Sequence, residues 1–372
     1  MEWALILAAA MWLALLLVPW RPWATSERME SDVGPDGCDL HEVTVLMPAR
    51  NESDVIGRAL AALARQGGDL RIIVIDDASD DGTAIVAARA DLPGLTILQA
   101  PPLPPGWTGK LWALEQGRLQ VETPYILLLD ADIWVAPGLV ATLLHKAQHE
   151  RLALVSLMAA PAMQGLWDRW LMPVFIYFFK LLYPFRLAHA KESRYAAAAG
   201  GCLLVSRGAL ADIGGFGALK GAVIDDCTLA ARIKHRAQGA IWIGLTHSAK
   251  MMRSPSLRDV WRMVARTAFT QLRYSFVLLA LCAAVMVLVF VIPVIGLVWG
   301  GLYGRLTALM ALIFMISSYI PTARFYAQPR TAWALLPLAG LAFLLMTFTS
   351  ALWYARGVRS RWKGRAYGRS EG

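Results

Sequence analysis

Four acidic groups in the 372-residue chain sit where side chains can do chemistry: Arg50-Asn51-Glu52, Asp76-Asp77, Asp130-Ala131-Asp132 and Asp225-Asp226. Carboxylates are hard oxygen donors suited to Mg2+ or Mn2+, which bind through few protein carboxylates together with substrate phosphates. A positioned carboxylate can also take the proton of an attacking hydroxyl. Singly, each group has a plain structural explanation, because Asp and Asn after a strand form turns or cap helices. Three of them close apolar runs, however, and three acidic strand ends converging on one cleft are hard to ascribe to turns alone.

Those runs are VTVLMPA (43–49), RIIVIDDA (71–78), LTILQA (95–100) and YILLLDAD (125–132), and they read as strands. Between them, 53–66, 81–91 and 109–121 carry helical periodicity. The alternation predicts an α/β fold of Rossmann-like type, with parallel strands joined by crossover helices. Ligands in such sheets bind beyond the carboxyl ends of the strands, where the acidic groups fall. No GxGxxG follows the first strand and no GxxxxGK[ST] occurs, which argues against dinucleotide-binding and P-loop folds.

The positioning elements extend beyond this domain. The chain is 57% hydrophobic and 17% charged, with a mean hydropathy of +0.48. Soluble domains are about 45–50% apolar, so disordered, collagen-like and ordinary soluble single-domain classes are excluded. Uncharged runs at 3–20, 274–304, 306–323 and 331–355 approach or exceed the roughly 20 residues needed to span a bilayer. Glu2 precedes the first run in place of a basic region, so it reads as an uncleaved anchor rather than a signal peptide. Cys38, Cys202, Cys227 and Cys282 are too scattered for a disulfide framework or a zinc site. The formal charge of +9 gathers in 247–273 and 355–372, at the membrane edges. The i, i+4 row Arg258, Arg262 and Arg266 therefore suggests anionic lipid headgroups and not nucleic acid. Basic residues flanking the first two spans place the intervening domain in the cytoplasm. Three further spans would send the basic tail to the other side, so the C-terminal span count stays open.

The segments VTVLMPARNE, IIVIDDASDDGT, LLLDADI and IDDCTLAARI, in that order over 43–245, resemble the ordered motifs of family 2 glycosyltransferases, which have the GT-A fold. PPLPPGWTGKLWALEQG (101–117), with the flanking apolar runs, is similar to the hopene-associated subgroup of bacterial glycosyltransferases. The resemblance implies an inverting transfer from a nucleotide-sugar donor to a membrane lipid alcohol, at a multi-pass protein of the bacterial inner membrane. It implies that Pro48, Arg50, Glu52, Asp76 and Asp77 line the nucleotide pocket. Asp130 and Asp132 would be the DxD pair, with Asp132 the direct ligand of Mn2+ or Mg2+. Asp226 would match the general base and Asp225 the preceding acidic residue. Lys110, opening the helix after Gly109, could approach the donor phosphates or stand as a solvated first-turn lysine. Asp225-Asp226 could also cap a helix over 227–237.

Residues 165–187 (GLWDRWLMPVFIYFFKLLYPFRL), with Trp167 and Trp170, suggest one or two interfacial helices whose basic heads snorkel; a helix packed on the sheet is the alternative. Gly200-Gly201 before a strand allows close approach to a ligand. Arg273-Tyr274 stands where membrane-bound members of the family carry (Q/R)xxRW, but Gln271 is displaced by one position, which weakens a processive-synthase reading. His145 and His149 lack the Glu of HExxH and read as a solvated helix face. The resulting division is an anchor at 1–22, a GT-A domain at 40–250 containing 165–187, a basic juxtamembrane helix at 251–273, a membrane region at 274–355 and a basic tail at 356–372. Alternative functions are a polyprenyl-phosphate or ceramide-type glycosyltransferase and a non-catalytic membrane scaffold.

Overall fold

The apolar runs at 43–49, 71–76 and 125–129 fold as strands buried on both faces, and the run at 95–99 folds as a partly exposed strand. A computed structural model describes residues 1–32, 39–237, 239–357, 360–362 and 365–367. It divides into two compact units: Glu27–Ala162 with Leu187–Arg253, and Met1–Ser26 with Met163–Arg186 and the chain from Ser254. Most of the expected basic tail, 356–372, lies outside the described residues, as does Cys38.

The first unit is a mixed α/β sheet. Its strands are β1 (Val43–Ala49), β2 (Arg71–Asp76), β3 (Leu95–Gln99), β4 (Tyr125–Leu129), β5 (Ile133–Val135), β6 (Leu154–Ala160), β7 (Cys202–Ser206) and β8 (Ile241–Met251), in the order β3-β2-β1-β4-β7-β6-β8-β5. Strands β3, β2, β1 and β4 are parallel, as the alternation predicts, with Val43 opposite Tyr125 and Thr44 opposite Arg71. From β7 onward the sheet is mixed: β7 runs antiparallel to both β4 and β6, while β8 is parallel to β6 and antiparallel to β5.

Successive side chains of a strand point to opposite faces. Val45, Met47, Val74, Leu127 and Leu129 therefore enter one core with the helix Ile56–Leu63, while Leu46, Ile73, Ile75 and Leu128 enter the other with the helix Gly109–Arg118. Each fully buried aliphatic side chain stabilises the fold by about 1.5–3 kcal/mol, so the strand ends are held against two cores at once. The strand-end carboxylates sit on this rigid frame.

The second unit is helical. Among the described residues, three helices are long and apolar enough to cross a membrane: Phe276–Trp299, Leu302–Phe325 and Leu336–Ala355. Helix Glu2–Leu17 has 16 residues, about 24 Å at 1.5 Å per residue. It stops at Val18 because the residue before Pro19 is pushed out of the helical region. The expected 274–304 run ends earlier, at Gly300, whose extended backbone breaks the helix. A five-residue π-turn, Val287–Val291, precedes Pro293 and takes up the backbone mismatch that a helix-interior proline causes. Trp12 donates its indole N–H to the Val289 carbonyl at 3.0 Å. Gly296 permits close helix packing, since a Cβ there would stand 2.6 Å from Leu5 Cδ2.

Residues 165–187 form the two helices Leu166–Leu182 and Phe185–His189, interrupted at Pro184. Through Arg186 this segment groups with the helical unit rather than with the sheet. The expectation of snorkelling heads is corrected at Lys180. It is 2% exposed and donates to Thr322 Oγ1 at 3.2 Å and to the Trp23 carbonyl at 3.4 Å. Asp168 is fully buried and accepts from the Gln164 and Arg169 amides and the Ser254 hydroxyl. The juxtamembrane helix is shorter than expected, Leu257–Gln271, opened by a Ser256–Asp259 capping box. Arg273 and Tyr274 end it with left-handed φ of 51° and 56°.

Candidate active site

Asp130 follows the last residue of β4, its amide held by the Gly201 carbonyl at 3.1 Å. Lys110, in the first turn of helix Gly109–Arg118, reaches Asp130 Oδ1 with its ammonium at 2.6 Å. Thr108 caps that helix by accepting from the Leu111 amide. The solvated alternative for Lys110 is thus corrected: it is 22% exposed and paired.

Asp226 lies in the first turn of helix Asp225–His235, which starts two residues before the expected 227–237. Ile224 occupies the cap position, so neither aspartate is the cap residue. Asp226 Oδ2 accepts from the Gly200 amide at 3.0 Å and Oδ1 from the Cys227 amide at 2.8 Å. Gly200 lies between the two charged groups: a Cβ there would stand 3.5 Å from Asp226 Oδ2 and 3.6 Å from Lys110 Nζ. Pro48, Lys110, Asp130, Gly200, Asp225 and Asp226 line one solvent-open cleft, with apolar walls that include Leu114, Phe216 and Leu229.

Charge in this cleft is unbalanced. Burial pushes the Asp226 carboxyl up to about 6, Asp225 adds to the rise, and the Cys227 amide, Lys110 and the Gly200 amide oppose it. Burial alone would lower Lys110, but the carboxylates of Asp130, Asp225 and Asp226 outweigh it and hold the ammonium charged. An acid raised toward neutrality is what a general base working near neutral pH requires.

The other strand-end groups form a second cluster. Arg50 donates to the Asp77 carbonyl and, at 3.3 Å, to that of Ala78, with Asp77 Oδ2 at 3.7 Å. This holds Ala78 at φ 51°, a conformation few non-glycine residues adopt. Asp76 is committed to the same turn, accepting from the Ser79 hydroxyl and from Gln99 Nε2 at 3.0 Å. Its side chain therefore does the turn-forming work considered for it from the sequence. Glu52, 10% exposed at its side chain, pairs with Arg253.

Arg253 was counted among the membrane-edge charges, yet it belongs to the α/β unit and grips Glu52 and Asp54. Lys250 likewise stands in β8, 5.6 Å from the Trp134 ring. Of the acceptor candidates, Gly200 and Gly201 lie in the α/β unit, and Trp167, Trp170, Arg273 and Tyr274 in the helical unit. There Tyr274 stacks on Tyr354 at 4.5 Å. His145 and His149 are exposed and stacked on each other at 5.7 Å.

Asp130 and Asp132 offer carboxylates that are each partly exposed at the turn between β4 and β5. Among the described residues, no third His, Cys, Asp or Glu joins them in a ready-made metal cluster. Two carboxylates fit a cation that completes its shell with phosphate oxygens. They do not fit one that needs an all-protein cage.

Residues 44–214 match the family described as Glycosyl transferase family 2. That segment, a little under half of the chain, is similar to family 2 glycosyltransferase domains, and its mixed sheet has the GT-A arrangement. A 4,4'-diaponeurosporenoate glycosyltransferase of Staphylococcus aureus (strain USA300) is 34% identical over 108 residues, 28% of this chain and 28% of that protein. The counterpart from strain MRSA252 is 36% identical over 92 residues, 24% of each. The chain thus spans only about a quarter of the length of the curated relatives it matches. A solved mannosyltransferase from Pyrobaculum calidifontis, in complex with GDP-Man and Mn2+, is 18% identical, with a TM-score of 0.51 covering 94% of this chain and 95% of that one. This last likeness is one of fold.

Proposed function

We propose that the protein is a membrane-bound inverting glycosyltransferase that moves a sugar from a nucleotide-sugar donor to a lipid alcohol, in hopanoid biosynthesis. The observation carrying this reading is Asp226, held by two backbone amides, facing Lys110 across Gly200 and raised toward neutrality. In that setting Asp226 takes the proton of the acceptor hydroxyl as the oxygen attacks the sugar. One base and one in-line displacement invert the anomeric centre. Pro48, Arg50, Glu52, Asp76 and Asp77 form the donor side, Arg50 and Asp76 by holding the turn after β2. Asp132, with Asp130, would hold Mn2+ or Mg2+. The cation would stabilise the charge gathering on the leaving nucleoside diphosphate. Lys110 adds a fixed positive charge on the same side.

The hopanoid assignment is supported by the likeness of 101–117 to that subgroup. Within this stretch Trp112 donates to the Pro101 carbonyl at 2.9 Å and Trp107 packs edge-on to Trp112 at 5.1 Å, so the loop before Lys110 is clamped. Gly200, whose amide holds Asp226, and Gly201 are assigned to the acceptor side. Arg258 and Arg262, both exposed on helix Leu257–Gln271, are assigned to anionic headgroups of a bacterial inner membrane, with the catalytic unit on its cytoplasmic side.

The name of the Staphylococcus relative favours a second reading, in which the acceptor is a carboxylate. A carboxylate, like a polyprenyl phosphate, attacks already ionised and needs no base. One experiment separates these: full-length protein in lipid nanodiscs, Mn2+ or Mg2+, radiolabelled nucleotide sugars and a bacterial lipid extract. A labelled lipid glycoside that disappears with Asp226→Asn supports the alcohol reading. A product that survives that substitution supports the acid or phosphate acceptor. No lipid product with any donor refutes the transferase reading.

A further inference from the structure

We infer that Arg253 is a positioning residue of the donor site, acting through the Glu52 carboxylate and not on the reacting atoms. The inference rests on the reading of Glu52 as a donor-binding residue.

Arg253 follows β8, the most C-terminal strand of the sheet, and Glu52 follows β1, 201 residues earlier. One guanidinium nitrogen, Nη1, donates to Glu52 Oε2, while Nε and Nη2 take the two oxygens of Asp54, the former at 3.1 Å. An arginine fork fixes direction as well as charge, because its donors lie in one plane. The two carboxylates differ in setting: side-chain exposure is 10% at Glu52 and 63% at Asp54. Asp54 therefore anchors the fork from the surface, and Glu52 is the buried group it orients. Glu52 is constrained at its backbone too, where its amide donates to Thr83 Oγ1 at 2.8 Å.

The residue beside Arg253 does the corresponding work at the metal end. The Met252 amide donates to the Asp132 carbonyl at 2.8 Å, and Met251 is paired with Ile133 across β8 and β5. Two consecutive residues after one strand thus hold Asp132 by its backbone and Glu52 by its side chain. They fix the spacing between the end of the site assigned to the cation and the end assigned to the nucleoside. Asp54 and Glu52 raise Arg253 further above its ordinary range, so the clasp stays charged at any working pH.

The test measures binding of UDP and of GDP, each with MnCl2, to the full-length protein in nanodiscs by isothermal calorimetry. Variants are Arg253→Ala, Arg253→Lys, Glu52→Gln, Asp54→Asn and the Arg253→Ala/Glu52→Gln pair. Outer-shell residues of this kind cost about 10–100-fold when removed. Arg253→Ala is expected to weaken nucleotide binding within that range, and Arg253→Lys to recover part of it. Asp54→Asn should change it less than threefold. The double variant should be no weaker than the weaker single one, because both substitutions break one contact. Thermal melting checks that each variant folds, and Arg253→Lys keeps the question answerable if the alanine form does not. Wild-type affinity in Arg253→Ala overturns the inference, and so does an additive double variant, which would put Arg253 on the ligand itself. If the wild type binds neither nucleotide, the donor-site reading fails instead.

Discussion

The two units hold their buried charged and hydroxyl groups differently. In the helical unit, several such side chains are paired one to one across the chain or with amides: the Tyr177 hydroxyl with Ser318 Oγ at 2.6 Å, Lys180 with Thr322, and Asp168 with Ser254 and two amides. In the α/β cleft one ammonium, Lys110, serves the three carboxylates of Asp130, Asp225 and Asp226. Matched partners offset the cost of burying polar groups and hold helices in register. Unmatched charge keeps a carboxyl poised to exchange a proton. Substitutions in the helical unit should therefore cost stability, and those in the cleft should cost activity.

The largest effect is expected at Asp226. Asp226→Asn should lower transfer by about 10²–10⁴-fold and lower stability by no more than about 1 kcal/mol, since the backbone N–H acceptor it loses is offset by removal of one of two crowded carboxylates. Transfer to lipid acceptor and differential scanning calorimetry on the same preparation check both halves. A large loss of stability would place Asp226 with the matched polar pairs. Lys110→Ala comes next. Leaving Asp130, Asp225 and Asp226 without their cation should cost about 1–3 kcal/mol, read as a lower melting temperature. It should also move the acidic limb of the pH–rate profile upward, because Lys110 favours the ionised form of Asp226. The smallest effect is expected in the helical unit: Ser318→Ala should cost about 1 kcal/mol and leave turnover per folded molecule unchanged. A fall in turnover would erase the contrast between the units.

The parallel half of the sheet was legible because β1, β2 and β4 are runs of Val, Ile and Leu closed by acidic residues. Asp130 and Asp226 were legible through their motifs. Arg253 was not: its partner Glu52 lies 201 residues away, and no local spacing records such a pair. Its position just before a membrane run made it look like a headgroup charge. Lys180 misled for the same reason, since Thr322 lies far along the chain. The strands β5 to β8, paired in mixed directions, are short or interrupted by polar residues, so their pairing emerges only from the assembled sheet. One signal was available for Arg253, namely that Met251-Met252-Arg253 directly continues a strand, as the donor-side clusters do.

The measurement closest to the central claim is single-turnover transfer against pH, in the wild type and in Asp225→Asn. The folded protein holds the Asp226 proton more tightly than an unfolded chain does. Its contribution to stability therefore falls as pH rises from the ordinary 3.8 through about 6. Transfer should rise over the upper part of that range as the base ionises. Removing the like charge of Asp225 should shift the acidic limb to lower pH. A wild-type rate flat from pH 5 to 8, or a limb that Asp225→Asn leaves in place, would contradict Asp226 as the base.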